Sequence, residues 1–232
     1  MKNFALAFVI YLSPVSAASA QYYGSYEWAN DMMNYTNMAM FINTNTINML
    51  SQQSQEAARL KSSAKKASTT KAKPATFQHT GKQLFLSKVK ANVKNTEEEQ
   101  KAYKIYSTLM QESLKRYEAY VRTQKMNPYD VGLAIAMFVE TTYALSHDKH
   151  MEDAQVLGLS QEINGKLNQD TKFQKTTNEQ RQLMYELFLG PQLVNYVIYE
   201  QSKKENDPKT AAMMKQQGLA LYKQLMGSEF NQ

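Results

Sequence analysis

Beyond Lys82, apolar residues recur three and four positions apart, the spacing of one helical face. Leu84, Phe85, Val89 and Val93 suit a short first helix. Thr96-x-x-Glu99 reads as a capping box, in which a hydroxyl and a carboxylate satisfy orphan amides at a helix start. The helix it opens is expected to run to about Gln124, with Ala102, Tyr106, Leu109, Met110, Leu114, Tyr117 and Val121 as its apolar line. Asn127-Pro128 breaks the chain.

The stretch 130–146 is apolar from Val131 to Val139 apart from Gly132. A helix greasy on all sides is usually the central one, and Asp130 is expected in its first turn, where a negative charge suits the dipole. A helix over Glu152–Asn168 follows, weakened by Gly158 and Gly165. Thr176-x-x-Glu179 is a second capping box, opening a long helix through Leu183, Leu187, Phe188, Val194 and Ile198. Gly190-Pro191 is expected to kink or interrupt it, because proline lacks an amide proton and crowds the preceding turn. Asp207-Pro208 places an N-cap before a proline at the first helical position. Ala211, Met214, Gly218, Leu221, Tyr222 and Leu225 then form one stripe that Gly227 ends. Nothing alternates as a strand would. The fold class is all-α: a single bundle of five to six helices over residues 81–232, large enough to bury a core.

The chain before residue 81 has a different pattern. Lys2, the apolar run Phe4–Leu12 and Ala18-Ser19-Ala20 follow the order of a secretory signal peptide, with cleavage expected after Ala20. The run is too short to span a bilayer, which takes about 20 residues, and no later run reaches that length. Residues 21–80 form a low-complexity tail and basic linker, largely disordered. The segment 21–50 is dominated by Tyr, Asn and Met, a sticky composition, although 35–50 has the makings of a helix through Met38, Phe41, Ile42 and Met49. Residues 51–80, rich in Ser, Ala, Lys, Thr and Gln, read as a solvated linker.

Charge sharpens this division. The net charge is +6, yet residues 81–232 hold 20 basic and 18 acidic residues. The excess sits in the linker, which has Arg59, Lys61, Lys65, Lys66, Lys71 and Lys73 between Ala57 and Thr80 without an acid. A nucleic-acid-binding domain carries its basic face on the folded part, so that class is disfavoured. With no cysteine, the core has to hold without disulfides even in an oxidising compartment.

The stretch Asn127–Leu159, together with Phe173–Leu189 and its Glu179-Gln180-Arg181-Gln182 ahead of Tyr185-Glu186, resembles an uncharacterised family of secreted bacterial helical proteins, a domain of unknown function. The resemblance covers roughly residues 80 to 226. It implies bacterial origin, export and an all-helical fold. It implies no activity and no functional residues.

Candidate chemistry is sparse. His147, Asp148 and His150, followed by Glu152 and Asp153, are the densest group of metal-type ligands, although two histidines at a helix end also suit a solvated loop. Met38 and Met40 belong to a Met-rich segment whose thioethers suit Cu(I); the same residues suit apolar contact. Glu140 interrupts the greasiest helix. It is expected to pair with Arg122 or Arg181 or to lie at the helix edge; the alternative is an acid–base group with a pKa raised by burial. Tyr103, Tyr106, Tyr117 and Tyr120 are spaced for packing with hydroxyls at the rim, or for a carbohydrate or peptide platform. No nucleophile elbow or phosphate-cradling loop is present.

The expectation is therefore a non-catalytic binding protein, exported to the envelope or beyond, with no cofactor. Its partner would be an envelope or extracellular protein, and Lys61, Lys65, Lys66, Lys71 and Lys73 would attract anionic envelope polymers. The alternatives are a carrier of a small apolar ligand near Met137, Phe138, Phe188 and Val194, or a Met-rich copper-handling protein.

Overall fold

A computed structural model of the protein describes residues 75–226 apart from 92, 94 and 95, without the side chains of 98, 99, 102 and 224–226. Seven helices make up these residues: α1 (Leu84–Lys90), α2 (Glu97–Thr123), α3 (Val131–His147), α4 (Asp153–Gln169), α5 (Thr171–Gln174), α6 (Asn178–Lys204) and α7 (Pro208–Met226). Among the described residues there is no strand, only an isolated antiparallel bridge between Thr76 and Asp130. The fold is all-α as expected. The seventh helix is the single turn α5, too short to leave a periodic signal.

Helix α3 is central, as its all-round apolar character requires. It packs against α4, α6 and α7, while α6 also packs against α1, α2 and α7. The core runs through Met110, Leu114 and Tyr117 of α2, Leu133, Met137 and Phe138 of α3, and Leu189, Leu193 and Val194 of α6, all buried. No described helix is long and apolar enough to cross a membrane.

Several expected boundaries shift for local reasons. Asp130 is not in the first turn of α3 but caps it, accepting from the amides of Gly132 (2.9 Å) and Leu133 (3.3 Å). The capping box of α6 lies one residue later than expected, on Thr177 and Gln180. Thr176 is taken by the preceding turn, its hydroxyl donating to the Phe173 carbonyl at 2.6 Å. Helix α4 opens with a capping box between Glu152 and Gln155. Helix α2 begins directly after Thr96.

Gly190-Pro191 does not interrupt α6, which runs unbroken from Asn178 to Lys204 with both residues buried. A Cβ at Gly190 would collide with the Met110 side chain, so the glycine sets a close approach of α6 to α2. At the start of α7 the Asp207-Pro208 expectation holds, with the Thr210 amide donating to the Asp207 carboxylate at 3.0 Å.

The largest correction concerns the linker, expected to reach residue 80. Ala75 and Phe77 are buried in the core. Phe77 lies 5.2 Å ring to ring from Tyr185 and 5.5 Å from Tyr129. Ala75–Thr80 thus belong to the packed domain, and the expectations for residues 1–74, Met38, Met40 and the five linker lysines among them, lie outside the described residues.

Candidate functional site

Residues Ala75–Lys82 form an irregular strap. Ala75 and Phe77 are buried, so their amides and carbonyls need hydrogen-bond partners. Val131 and Tyr129 provide two: the Phe77 amide donates to the Tyr129 carbonyl and the Val131 amide to the Ala75 carbonyl, each at 3.1 Å. Within the strap the Gly81 amide donates to His79 Nδ1 (2.9 Å) and the Lys82 amide to Thr80 Oγ1 (3.4 Å), and further partners come from polar side chains on distant helices. The Ala75 amide donates to Asn164 Oδ1 (2.7 Å), the Gln78 amide to Asn178 Oδ1 (2.6 Å) and the Thr80 amide to Gln182 Oε1 (2.8 Å). Asn178 Nδ2 returns a bond to the Gln78 carbonyl. Gln182 Nε2 donates to the Lys82 carbonyl (2.6 Å), and Arg181 Nη1 to the Thr76 carbonyl (3.3 Å).

Two buried carboxylates brace this clamp. Asp130 accepts from Asn164 Nδ2 at 3.0 Å, which turns the Asn164 oxygen toward Ala75. Glu186 accepts from Gln182 Nε2 at 2.7 Å and from the Phe85 amide at 2.6 Å, capping the start of α1. Burial pushes both carboxyls above their ordinary range, and the bonds they accept pull back against it. Asn178, Gln182 and Glu186 are four apart on α6 and so share one face. That polar stripe in a buried helix is the signal in the sequence that was available for the clamp. Asp130 and Asn164 leave no comparable trace.

A second polar constellation joins α3, the α3–α4 loop and α6. Glu140 is buried, with 1% of its side chain exposed, and its Oε1 lies 2.5 Å from His150 Nδ1. His150 Nε2 lies 2.9 Å from the Tyr196 hydroxyl. Burial, then Glu200 and Glu140, push the Tyr196 phenol well above its ordinary value, so it remains a donor. A carboxylate only accepts. The consistent arrangement has Nδ1–H donating to Glu140 and the phenol donating to Nε2. Both ring nitrogens are then engaged. Although a quarter of the His150 side chain is exposed, neither nitrogen is open to a substrate or an ion.

Glu140 therefore pairs with His150, not with an arginine. Arg122 lies over the Tyr129 ring and donates to its hydroxyl (3.0 Å). Arg181 stacks on Phe173 and serves the strap. The structure also separates the three candidate ligands of the loop. His150 points inward, His147 stacks on Tyr143 at 4.3 Å between ring centroids, and Asp148 pairs with Lys203 at 2.5 Å. Asp148 takes the left-handed backbone conformation (φ 56°) that ends α3. The bond from Lys203 holds its carboxyl below the ordinary range. Among the described residues, no group of three or more His, Asp or Glu side chains is placed to hold a metal ion.

The tyrosines of α2 are packing elements. Tyr106, Tyr117 and Tyr120 are buried. The Tyr106 hydroxyl is not at the rim but inside, with no hydrogen-bond partner, while Tyr103 donates to the Leu86 carbonyl at 3.2 Å. Met137, Phe138, Phe188 and Val194 are all buried. Phe138 meets Phe188 edge-on and stacks on Tyr222, both under 6 Å between centroids.

An all-helical domain with a clamped strap at its front is thus the class that fold and site define. The chain belongs to the family of unknown function DUF6683, whose model matches residues 2–227. No curated protein and no solved structure matches it.

Proposed function

We propose that this protein works by binding rather than catalysis, with the helical domain anchoring the segment that precedes Ala75. The observation that carries this reading is the clamp. Asn164, Asn178, Gln182 and Glu186 hold the backbone from Ala75 to Phe85. The chain that precedes Ala75 is thereby attached to the domain at a fixed point. The Tyr- and Met-rich part of residues 21–74 offers apolar contact. Lys61, Lys65, Lys66, Lys71 and Lys73 offer attraction to anionic envelope polymers, which salt weakens. The leader-like first twenty residues support export.

The test is envelope association of the mature chain and of a variant lacking residues 21–74, which keeps the whole clamp. Loss of association in the shortened protein is the expected result. Undiminished association would sink the reading. Native mass spectrometry of the protein recovered from its host would expose a bound apolar ligand or copper, either of which would move the function to carriage.

A further inference from the structure

The sequence contains one Asn-Gly pair, Asn164-Gly165, and it stands at the centre of the clamp. Asn164 Oδ1 accepts from the Ala75 amide at 2.7 Å, and Nδ2 donates to Asp130 Oδ2 at 3.0 Å. Glycine has no Cβ to hinder the approach of its own amide nitrogen to the preceding side chain. A five-membered imide therefore closes at Asn-Gly more readily than at other asparagines.

Two features hold this reaction off in the closed domain. Asn164 is 3% exposed, and both ends of its carboxamide are engaged. It also lies within α4, where backbone amides point along the helical ladder and not at the neighbouring side chain. Yet α4 is poorly secured. Its buried side chains are Val156, Ser160 and Asn164, two of them polar. Gly158 and Gly165 weaken a helix interior, and a Cβ at Gly158 would touch nothing, so packing does not require that glycine. A helix with so few buried apolar contacts opens locally more often than the core does.

We propose that Asn164-Gly165 is a self-modification site: spontaneous deamidation, admitted when the strap and α4 open, turns the clamp's carboxamide into a carboxylate and releases the strap for good. The Gly165 nitrogen attacks Asn164 Cγ, the bond from Cγ to Nδ2 breaks, and Nδ2 leaves with the Gly165 amide proton as ammonia. Water then opens the imide to aspartate or to isoaspartate, whose extra main-chain methylene disrupts α4. No oxidant, reductant or enzyme is needed.

The aspartate product sets two carboxyls against each other. Asp130 stands within hydrogen-bonding distance of the new group, Tyr117 of α2 feels the Asp130 charge, and the exposed Glu162–Lys166 pair lies on α4 itself. One shared proton reproduces the old arrangement, with an O–H donating to Asp130 and a carbonyl accepting from Ala75. Two charges so close in a buried site repel, so the clamp fails once both ionise. The inference rests on the clamp as anchor and not on the envelope reading, so a failure of envelope association leaves it standing.

The test keeps the full mature chain at about pH 8 and follows the tryptic peptide His150–Lys166 by mass spectrometry. A gain of about one mass unit at Asn164 is expected. It should come about tenfold faster or more in Ala75→Pro, which removes the amide that Asn164 receives and with it one hydrogen bond of the closed state. Converted parent chains, separated by their added charge, are expected to exchange hydrogen faster at Ala75 and Phe77. Rates in the two proteins within about twofold of each other would overturn the proposal. So would converted chains with unchanged strap protection, or no conversion in either protein. Asn164→Asp supplies the product directly, and it answers even if Ala75→Pro misfolds. Relative to the parent, its strap is expected to be protected at about pH 5 and released at about pH 8; equal relative protection at both would overturn the proposal as well.

Discussion

The carboxamide of Asn164 lies directly over Gly132, so close that a Cβ at residue 132 would collide with its oxygen, carbon and nitrogen alike. The same carboxamide bonds Asp130 on one side and the Ala75 amide on the other. One glycine thus leaves room for the group that ties the strap to two helices.

Gly132→Ala forces that carboxamide aside. Overpacking of this kind costs about 1–3 kcal/mol, and here it also releases the Ala75 amide. Thermal unfolding monitored by circular dichroism is expected to show a lowered midpoint. Hydrogen exchange at Ala75 is expected to accelerate more than exchange at core amides of α6. Unchanged protection at Ala75 would mean that Asn164 is not what holds it.

His150→Ala leaves the Glu140 carboxylate buried without its partner. Breaking a buried pair in this way costs roughly 3–5 kcal/mol. Tyr196→Phe removes one hydrogen bond from a ring that still reaches solvent, at about 1 kcal/mol. Urea denaturation is expected to rank the two in that order. Equal, small effects would show that Glu140 finds other support.

The clamp carboxylates set a dependence on pH. Asp130 and Glu186 have folded pKa values raised by burial, so the folded protein binds their protons more tightly than the unfolded chain. Their contribution to stability is fully present below the unfolded value, about pH 4, and is lost as pH rises through the folded values. Glu186→Gln removes one of these titrations. It also exchanges an acceptor for a donor opposite the Phe85 amide or Gln182. The variant is expected to be less stable at pH 4, with a shallower fall toward pH 7 than the parent. Midpoints of denaturation measured across that range decide it; an undiminished slope would exonerate Glu186.

Asp207 has the opposite sign. Its bond with Thr210 lowers its pKa, so its contribution is present above about pH 4 and disappears as pH falls through the lowered folded value. Asp207→Ala is expected to cost about 1 kcal/mol at neutral pH, the usual worth of an N-cap, and little in acid. An equal loss at pH 7 and pH 2, read from denaturation curves, would contradict the capping role.

The helices were legible because their information is local. Tyr106, Met110 and Leu114 repeat at helical spacing, and Asp207-Pro208 announces a helix within two residues. The strap was not legible. Ala75–Thr80 is short and aperiodic, and the side chains that receive its amides, Asn164, Asn178 and Gln182, are 89 to 102 residues away. A stretch beside Lys71, Lys73 and Pro74 reads as solvated until Asn164, Asn178 and Gln182 are seen to receive it. Glu140 was recognised as needing a partner, but spacing favoured no particular one. Arginine is the usual choice for a buried carboxylate, and a loop swung His150 inward instead. The shift of a capping box from Thr176 to Thr177 has the same origin, a one-turn helix below the reach of periodicity.

The clamp also fixes an order of events during synthesis. The strap is made early, but Gln182 and Glu186, which hold Thr80 and Phe85, come about a hundred residues later. Closing so long a loop is entropically slow and waits on contacts that form late. The front of the domain therefore is not fully locked until the first third of α6 has been synthesised. A chain threaded through a narrow translocation channel leading end first would pass residues 75–86 through before anything existed to pin them. The distance in sequence between strap and clamp acts as a delay on the locking of the domain's front.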